Sequence, residues 1–319
     1  MMSQNFAITG VGGYVAPRHL KAIKDTGNRL VAAVDPNDSV GVLDRYFSDV
    51  RFFTEFERFD RHIEKLRRAG ENDRIHYVTI CSPNYLHDAH CRFALRVGAD
   101  AICEKPLALN PWNLKALEEL EQESGRKVNT ILQLRVHPAL IELRNKLMAE
   151  KKSKKHDVVL TYITSRGYWY LVSWKGQVER SGGLATNIGI HFFDLLIWLF
   201  GPVEKSEVHI ATPTRTGGYL ELANARVQWF LSIERADLPK EALAKQLTTF
   251  RSITIDGAEV EFSEGFTELH TEVYKHTLAG HGFGLKDAYP SVSLAHDIRE
   301  SSATGLKEHS HPILRKIKL

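Results

Sequence analysis

The chain has almost no cysteine. Only Cys81, Cys91 and Cys103 occur among 319 residues. An odd number without a C-x-x-C pair excludes a disulfide framework and a zinc ribbon, and fits reduced thiols. Charge of one sign is also lacking: 42 Lys+Arg against 39 Asp+Glu leaves +3, too weak a field to predict a nucleic-acid partner. Long hydrophobic runs are missing as well. The densest, residues 195–200, is far short of the roughly 20 residues of a membrane span. The start MMSQNFAITG has no basic stretch ahead of its apolar residues. The expectation is a cytoplasmic protein without nucleic-acid or membrane partners. The charge run at 151–155 reads as a solvated loop.

What is present is an ordinary globular composition, 43% apolar and 25% charged. The length suits two domains of about 150 residues, with cores that need no metal or disulfide. Over the first third, apolar segments at 6–9, 30–34, 77–81 and 101–103 alternate with helical stripes such as Phe56, Phe59, Ile63 and Leu66. Strands apolar throughout are buried on both faces, which predicts an α/β domain with a parallel sheet and helical crossovers. Pro111 opens a helix that stops at Ser124-Gly125, and 128–134 reads as a further strand. The alternation then ends, so the expected domains are 1–125 and 126–319. Downstream, 157–164, 226–233 and 252–255 are strand-like with few helices between them, predicting an α+β domain with a large, mainly antiparallel open sheet. One helix there carries Ile188, Phe192, Leu195, Leu196 and Leu199 and stops at Gly201-Pro202; another covers 269–278.

The segment Gly10-Val11-Gly12-Gly13-Tyr14-Val15 lies between the first strand and a helix, the setting in which a glycine-rich turn binds a dinucleotide. Gly10 permits the tight turn, Gly12 admits the pyrophosphate to the backbone, and the following helix offers free N–H groups. Val15 stands where a third small residue is usual. Asp35 ends the second strand 20 residues beyond Val15, where a carboxylate accepts the ribose hydroxyls and repels a ribose phosphate; NAD is therefore expected rather than NADP. Two more strand ends, Cys81-Ser82-Pro83-Asn84 and Glu104-Lys105-Pro106, point to the same sheet edge, and a cis bond is considered at Lys105-Pro106.

The succession GVGGYV, VD, CSPNYLH, CEKPLA and GGLATNIGIHFFD resembles the glucose-fructose oxidoreductase/inositol dehydrogenase (Gfo/Idh/MocA) family over essentially the whole chain. The resemblance implies an N-terminal Rossmann domain, a C-terminal α+β domain whose open sheet serves oligomerisation, here a homotetramer, and NAD(P)-dependent oxidation of a sugar or polyol hydroxyl. Within the family, the YVAPRHL start and the run YWYLVSWKGQVERSGGLATNIGIHFFDLL are similar to the WlbA/WbpB-type UDP-N-acetyl-2-amino-2-deoxy-D-glucuronate 3-dehydrogenases of surface-polysaccharide (O-antigen) synthesis. Cofactor contacts are then implied at Gly10, Gly12, Gly13, Tyr14, Val15, Asp35, Ser82, Pro83, Asn84, His87, Glu104 and Lys105. Many members carry Asp four residues before the active-site His; here that residue is Asn187.

Oxidising a secondary alcohol needs a hydride acceptor and a group that takes the hydroxyl proton. Lys105 and His191 are the candidates. Lacking a carboxylate partner at 187, the imidazole is suited to act as a base, while Lys105 orients the hydroxyl as a cation or relays its proton; the residues leave the opposite assignment open. A neutral Asn187 also avoids repelling a uronate. Rings and cations alternate through Arg166, Tyr168, Trp169, Tyr170, Trp174, Lys175 and Arg180. This mixture fits either a nucleotide-sugar site or half-buried strand residues with solvated charges between them. Arg135 is a further candidate for the substrate cleft. His309 and His311 suggest a metal pair but lack a third ligand in the sequence, so no metal is expected. The expected function is NAD-dependent oxidation of the C3 hydroxyl of the UDP-linked uronate. The alternatives are another sugar or inositol dehydrogenase of the family, or a sensor of NAD or sugar that does not turn over.

Overall fold

A computed structural model describes residues 3–150, 154–262 and 268–316. These fall into two compact units, one within Met1–Val136 and Gly265–Tyr289, the other within His137–Glu264 and Pro290–Leu319. Of the charge run, residues 151–153 lie outside the described residues.

The first unit contains β1 (Asn5–Thr9), α1 (Ala16–Asp25), β2 (Arg29–Val34), β3 (Arg51–Phe53), α2 (Phe56–Ala69), β4 (Tyr77–Ile80), α3 (His87–Arg96), β5 (Asp100–Cys103), α4 (Pro111–Ser124) and β6 (Val128–Thr130). Its sheet runs β3-β2-β1-β4-β5-β6, and every adjacent pair is parallel. The strand order reverses between β1 and β4, the crevice where such sheets bind ligands. All five residues of β1 are buried, as a central strand covered on both faces requires. Proline in the first turn of α1 and of α4 supplies a preset φ where no N–H is needed. Gly125, in the left-handed conformation at φ 66°, ends α4 at the predicted stop.

The division expected near residue 125 precedes β6, which pairs with β5 inside the parallel sheet. The first unit therefore runs on to Val136 and also takes back the helix Leu269–Leu278. That helix places Leu269, Val273 and Tyr274 in one core with Phe6, Ile8, Leu20 and Ile23. The strand expected at 128–134 is only three residues long and gives way to a 3-10 turn at Gln133–Val136. The short β3 had no visible signal in the sequence.

The second unit holds β7 (His156–Thr164), β8 (Val203–Ala211), β9 (Arg215–Leu222), β10 (Ala225–Ser232), β11 (Thr249–Ile255) and β12 (Ala258–Glu259). Their order is β12-β11-β7-β10-β9-β8, antiparallel except for β7 with β10. β8 and β9 were not legible beforehand: β8 is rich in charge, and a Gly-Gly pair in β9 reads as a turn. The pair belongs in the strand because a Cβ on Gly218 would lie 2.0 Å from the Glu207 carbonyl oxygen, which leaves room only for hydrogen. The helix Ile190–Phe200 packs on this sheet, with Phe193 edge-on to Trp229 at 5.3 Å. By length and composition the helical stretch Val178–Phe200 could cross a membrane, but 72% of its most apolar window is buried, as in the core helix of a globular unit.

Candidate active site

In the first unit the carboxyl ends of β1, β2, β4 and β5 gather the expected coenzyme residues along one sheet edge. Gly10 has φ 76°, and a Cβ there would lie 2.5 Å from the Ser82 nitrogen, so no larger residue fits against the β4 turn. A Cβ on Gly12 would lie 3.2 Å from the Asp35 carboxylate. The Gly12 N–H donates to Asp35 Oδ2 at 2.9 Å and the Asn37 N–H to Oδ1 at 2.9 Å. Asp35 thus ties the end of β2 to the glycine turn, and the bare backbone of that turn is the cradle a dinucleotide needs. Val15, in the place of the missing small residue, packs against the core beside α1, while Tyr14 is 91% exposed.

Ser82, Pro83 and Asn84 form the turn after β4, with Ser82 and Asn84 buried. His90 Nδ1 lies 2.9 Å from Ser82 Oγ and 3.1 Å from Thr9 Oγ1, and its ring stacks on Phe56 at 4.8 Å. Burial lowers its pKa to about 4, so the ring is neutral. His87 does not reach outward. Its ring nitrogens lie 2.6 Å from the Pro106 carbonyl oxygen and 2.8 Å from that of Ser82, between the turns after β4 and β5, and a ring with one N–H donates to one of these two acceptors. Burial lowers its pKa, and the two carbonyls oppose this. The Lys105-Pro106 bond is cis.

Glu104 is buried, 6% exposed. His19 Nε2–H and His270 Nε2–H both donate to its Oε1 at 2.9 Å, and the Lys105 N–H donates to Oε2 at 3.2 Å. Burial alone would raise the carboxyl pKa, but the bonds from His19 and His270 outweigh it and hold the group well below the usual range. Desolvation lowers the pKa of His19; the neutral ring then accepts the Tyr274 O–H at Nδ1, and Thr79 Oγ1 lies 2.8 Å from the tyrosine oxygen. His19, His270, Tyr274 and Thr79 were absent from the expected site. The one available signal was a histidine on the apolar stripe of α1. Arg135 donates to Asp287 Oδ1 at 3.0 Å and to the Asp287 carbonyl at 3.1 Å, and lies over the Phe283 ring.

In the second unit Arg166 lies two residues beyond the end of β7. Its guanidinium and burial, the latter the larger cause, depress the pKa of Lys175. Lys175 Nζ sits 4.1 Å from the Trp174 ring centre and 5.9 Å from that of Trp169. Tyr168 is 78% exposed. Tyr170 is buried and accepts Asn187 Nδ2–H at 2.6 Å. Asn187 belongs to a π-helical turn, Ala185–Gly189, that leads into the helix carrying His191; such turns recur at functional sites. The half-buried His191 ring lies 5.8 Å from Tyr162 and 4.6 Å from Phe192. Lys105 and His191 thus belong to different units.

His309 does acquire metal-type neighbours, Glu207 and His209, whereas His311 pairs with Thr161. Glu207 is already held by Lys205 at 2.6 Å and Lys307 at 2.9 Å, cations that disfavour a metal ion beside it.

Residues 4–131 match the Gfo/Idh/MocA family description "Oxidoreductase family, NAD-binding Rossmann fold", and residues 155–233 match its "C-terminal alpha/beta domain". The solved WlbA (WbpB) dehydrogenase from Thermus thermophilus in complex with NAD and UDP-GlcNAcA is 52% identical, with a TM-score of 0.93, covering 97% of this chain and 99% of that one. The same Thermus enzyme with NAD and alpha-ketoglutarate is 53% identical at the same TM-score and coverage. The inositol 2-dehydrogenase of Rhizobium meliloti is 28% identical over 204 residues, 63% of this chain. The chain spans 38% and 56% of the length of the first two curated relatives it matches.

Proposed function

The chain belongs to the Gfo/Idh/MocA oxidoreductase family, and from that premise we propose that it oxidises the C3 hydroxyl of UDP-N-acetyl-2-amino-2-deoxy-D-glucuronate to the 3-keto sugar. The observation that carries this reading is 52% identity, over nearly the full length of both chains, to a dehydrogenase solved with NAD and UDP-GlcNAcA. NAD would supply the hydride acceptor. Gly10, Gly12 and Gly13 would receive its pyrophosphate and Asp35 its adenosine ribose; Asp35 already accepts an N–H from that turn and would disfavour a ribose phosphate. His191 takes the hydroxyl proton as C3–H leaves as hydride, and Lys105 orients the oxygen and steadies its developing charge.

In the second unit Arg166 and Lys175 are the cations for the diphosphate and carboxylate, Tyr168 offers a ring face, and Asn187, neutral and anchored by Tyr170, tolerates the uronate. Alpha-ketoglutarate, which the Thermus enzyme holds in complex together with NAD, is a ketone that would accept the hydride back together with a proton and become the 2-hydroxy acid. Work in the cytoplasm, assembly as a homotetramer and a role in O-antigen sugar synthesis belong to the same proposal.

The test is NADH absorbance with NAD and the UDP-uronate, in steady state and single turnover, against free sugars and inositol. We expect reduction with the UDP-uronate and competition by UDP. Equal turnover of free sugars without UDP competition would favour another sugar or inositol dehydrogenase; binding without any absorbance change would favour a sensor.

A further inference from the structure

We propose that Glu104 is a positioning residue for Lys105, and that His19 and His270 set it in place. The inference rests on reading Lys105 as the lysine at the hydride-transfer site. Glu104 immediately precedes Lys105, yet its side chain turns away from the open edge and is 6% exposed. Its two oxygens do different work. Oε1 accepts one N–H from His19, on α1, and one from His270, on the helix Leu269–Leu278; Oε2 accepts the main-chain N–H of Lys105. The partners stand 85 and 166 residues away in sequence, so the carboxylate anchors the lysine's own peptide group to two helices at once.

The proton directions make the arrangement specific. A carboxylate only accepts, so both histidines present Nε2–H to it. His19 is then bare at Nδ1 and accepts the Tyr274 hydroxyl, which is also within 2.8 Å of Thr79 Oγ1. His19, Tyr274 and Thr79 are each fully buried, which keeps water from replacing any member of the chain. On the far side of the turn, His87 lies 2.6 Å from the carbonyl oxygen of Pro106. Lys105 is thereby bracketed: its N–H side is held by Glu104, and the carbonyl of the next residue by His87. Placement of a reacting group to within about an ångström governs the rate far more than it governs coenzyme binding, so this bracket acts on turnover.

Glu104→Gln separates the two functions of the carboxylate. Its amide oxygen can still accept both histidine N–H groups, but its NH2 then faces the Lys105 N–H, donor against donor. We expect kcat to fall about 10- to 100-fold, with the NAD dissociation constant and the sugar KM within about 2-fold and the thermal midpoint near that of the wild type. His270→Gln, which keeps a donor toward Oε1, should retain most of kcat, and His270→Leu should lose it. Hydrogen exchange at the Lys105 amide needs no substrate and should accelerate about 10-fold in Glu104→Gln.

A kcat for Glu104→Gln within about 2-fold of wild type, with Lys105→Met inactive in the same assay, overturns the proposal. So does a loss of kcat matched by equal losses of NAD affinity and thermal midpoint, or equal behaviour of His270→Gln and His270→Leu; that pair decides the matter if Glu104→Gln does not fold. Faster exchange at the Lys105 amide in Glu104→Gln, found together with a wild-type enzyme that turns over no sugar, would instead defeat the assigned reaction while leaving the anchoring of the turn intact.

Discussion

At the carboxyl edge of the parallel sheet Glu104 is 6% exposed and holds three N–H donors, whereas in the second unit Tyr168 is 78% exposed and Trp169 52%. The first edge is organised from within: Asp35 joins β2 to the glycine turn, and His87 lies between the turns after β4 and β5. The segment 166–180 is organised by rings stacked beside cations, with Lys175 over Trp174 at 4.1 Å. A coenzyme shared by many enzymes can be met by a rigid cradle, because its shape never changes. A substrate particular to one enzyme is met by side chains that vary on a common scaffold.

The hardest blow to this contrast comes from removing, on each side, the group proposed to act on the substrate hydroxyl. Lys105→Met and His191→Asn should each lower kcat about 10³-fold while leaving NAD affinity nearly intact, as measured by NADH formation beside coenzyme titration. Parallel loss of NAD binding would place the residue in the cradle instead.

The interior of the rigid side should respond to acid. His90 has a folded pKa of about 4 against 6.5 when unfolded, so between those values the unfolded chain binds the extra proton. Its contribution is complete above pH 6.5 and is lost as the pH falls toward 4, on the order of 3 kcal/mol. His19 and His87, also lowered by burial, steepen the same slope. Urea midpoints at pH 7 and pH 4.5 should differ less in His90→Gln than in the wild type.

Asp35→Ala should weaken NAD by about 10- to 100-fold and narrow its advantage over NADP, read by coenzyme titration, because the Gly12 N–H loses its charged acceptor and the ribose would lose the acceptor proposed for it. The smallest effect is expected on the exposed side. Tyr168→Ala should raise the UDP-sugar KM by about 2- to 10-fold at nearly constant kcat, the worth of one aromatic contact.

The glycine turn, Asp35 and the strand-end turns were legible in the sequence because the βαβ repeat sets their order and spacing along the chain, with Asp35 20 residues beyond Val15. Gly10 needs φ 76° and a bare Cα wherever β4 passes beside it, so the residue type itself announces the turn. The direction of Glu104 was not legible, since one of its histidines lies 166 residues downstream. Nor was the pairing of Arg135 with Asp287, 152 residues away. β9 was not legible because the backbone its Gly-Gly pair lies against, at Glu207, belongs to the neighbouring strand.

By itself the order of residues determined the periodicities, the caps and the strand–turn–helix units, since these arise from torsional preference and from contacts a few residues apart. Only the tertiary structure decided which polar side chains turned inward and which partners they found. A buried charge must be answered by a hydrogen-bond partner within about 3 Å, and folding brings that partner from anywhere in the chain.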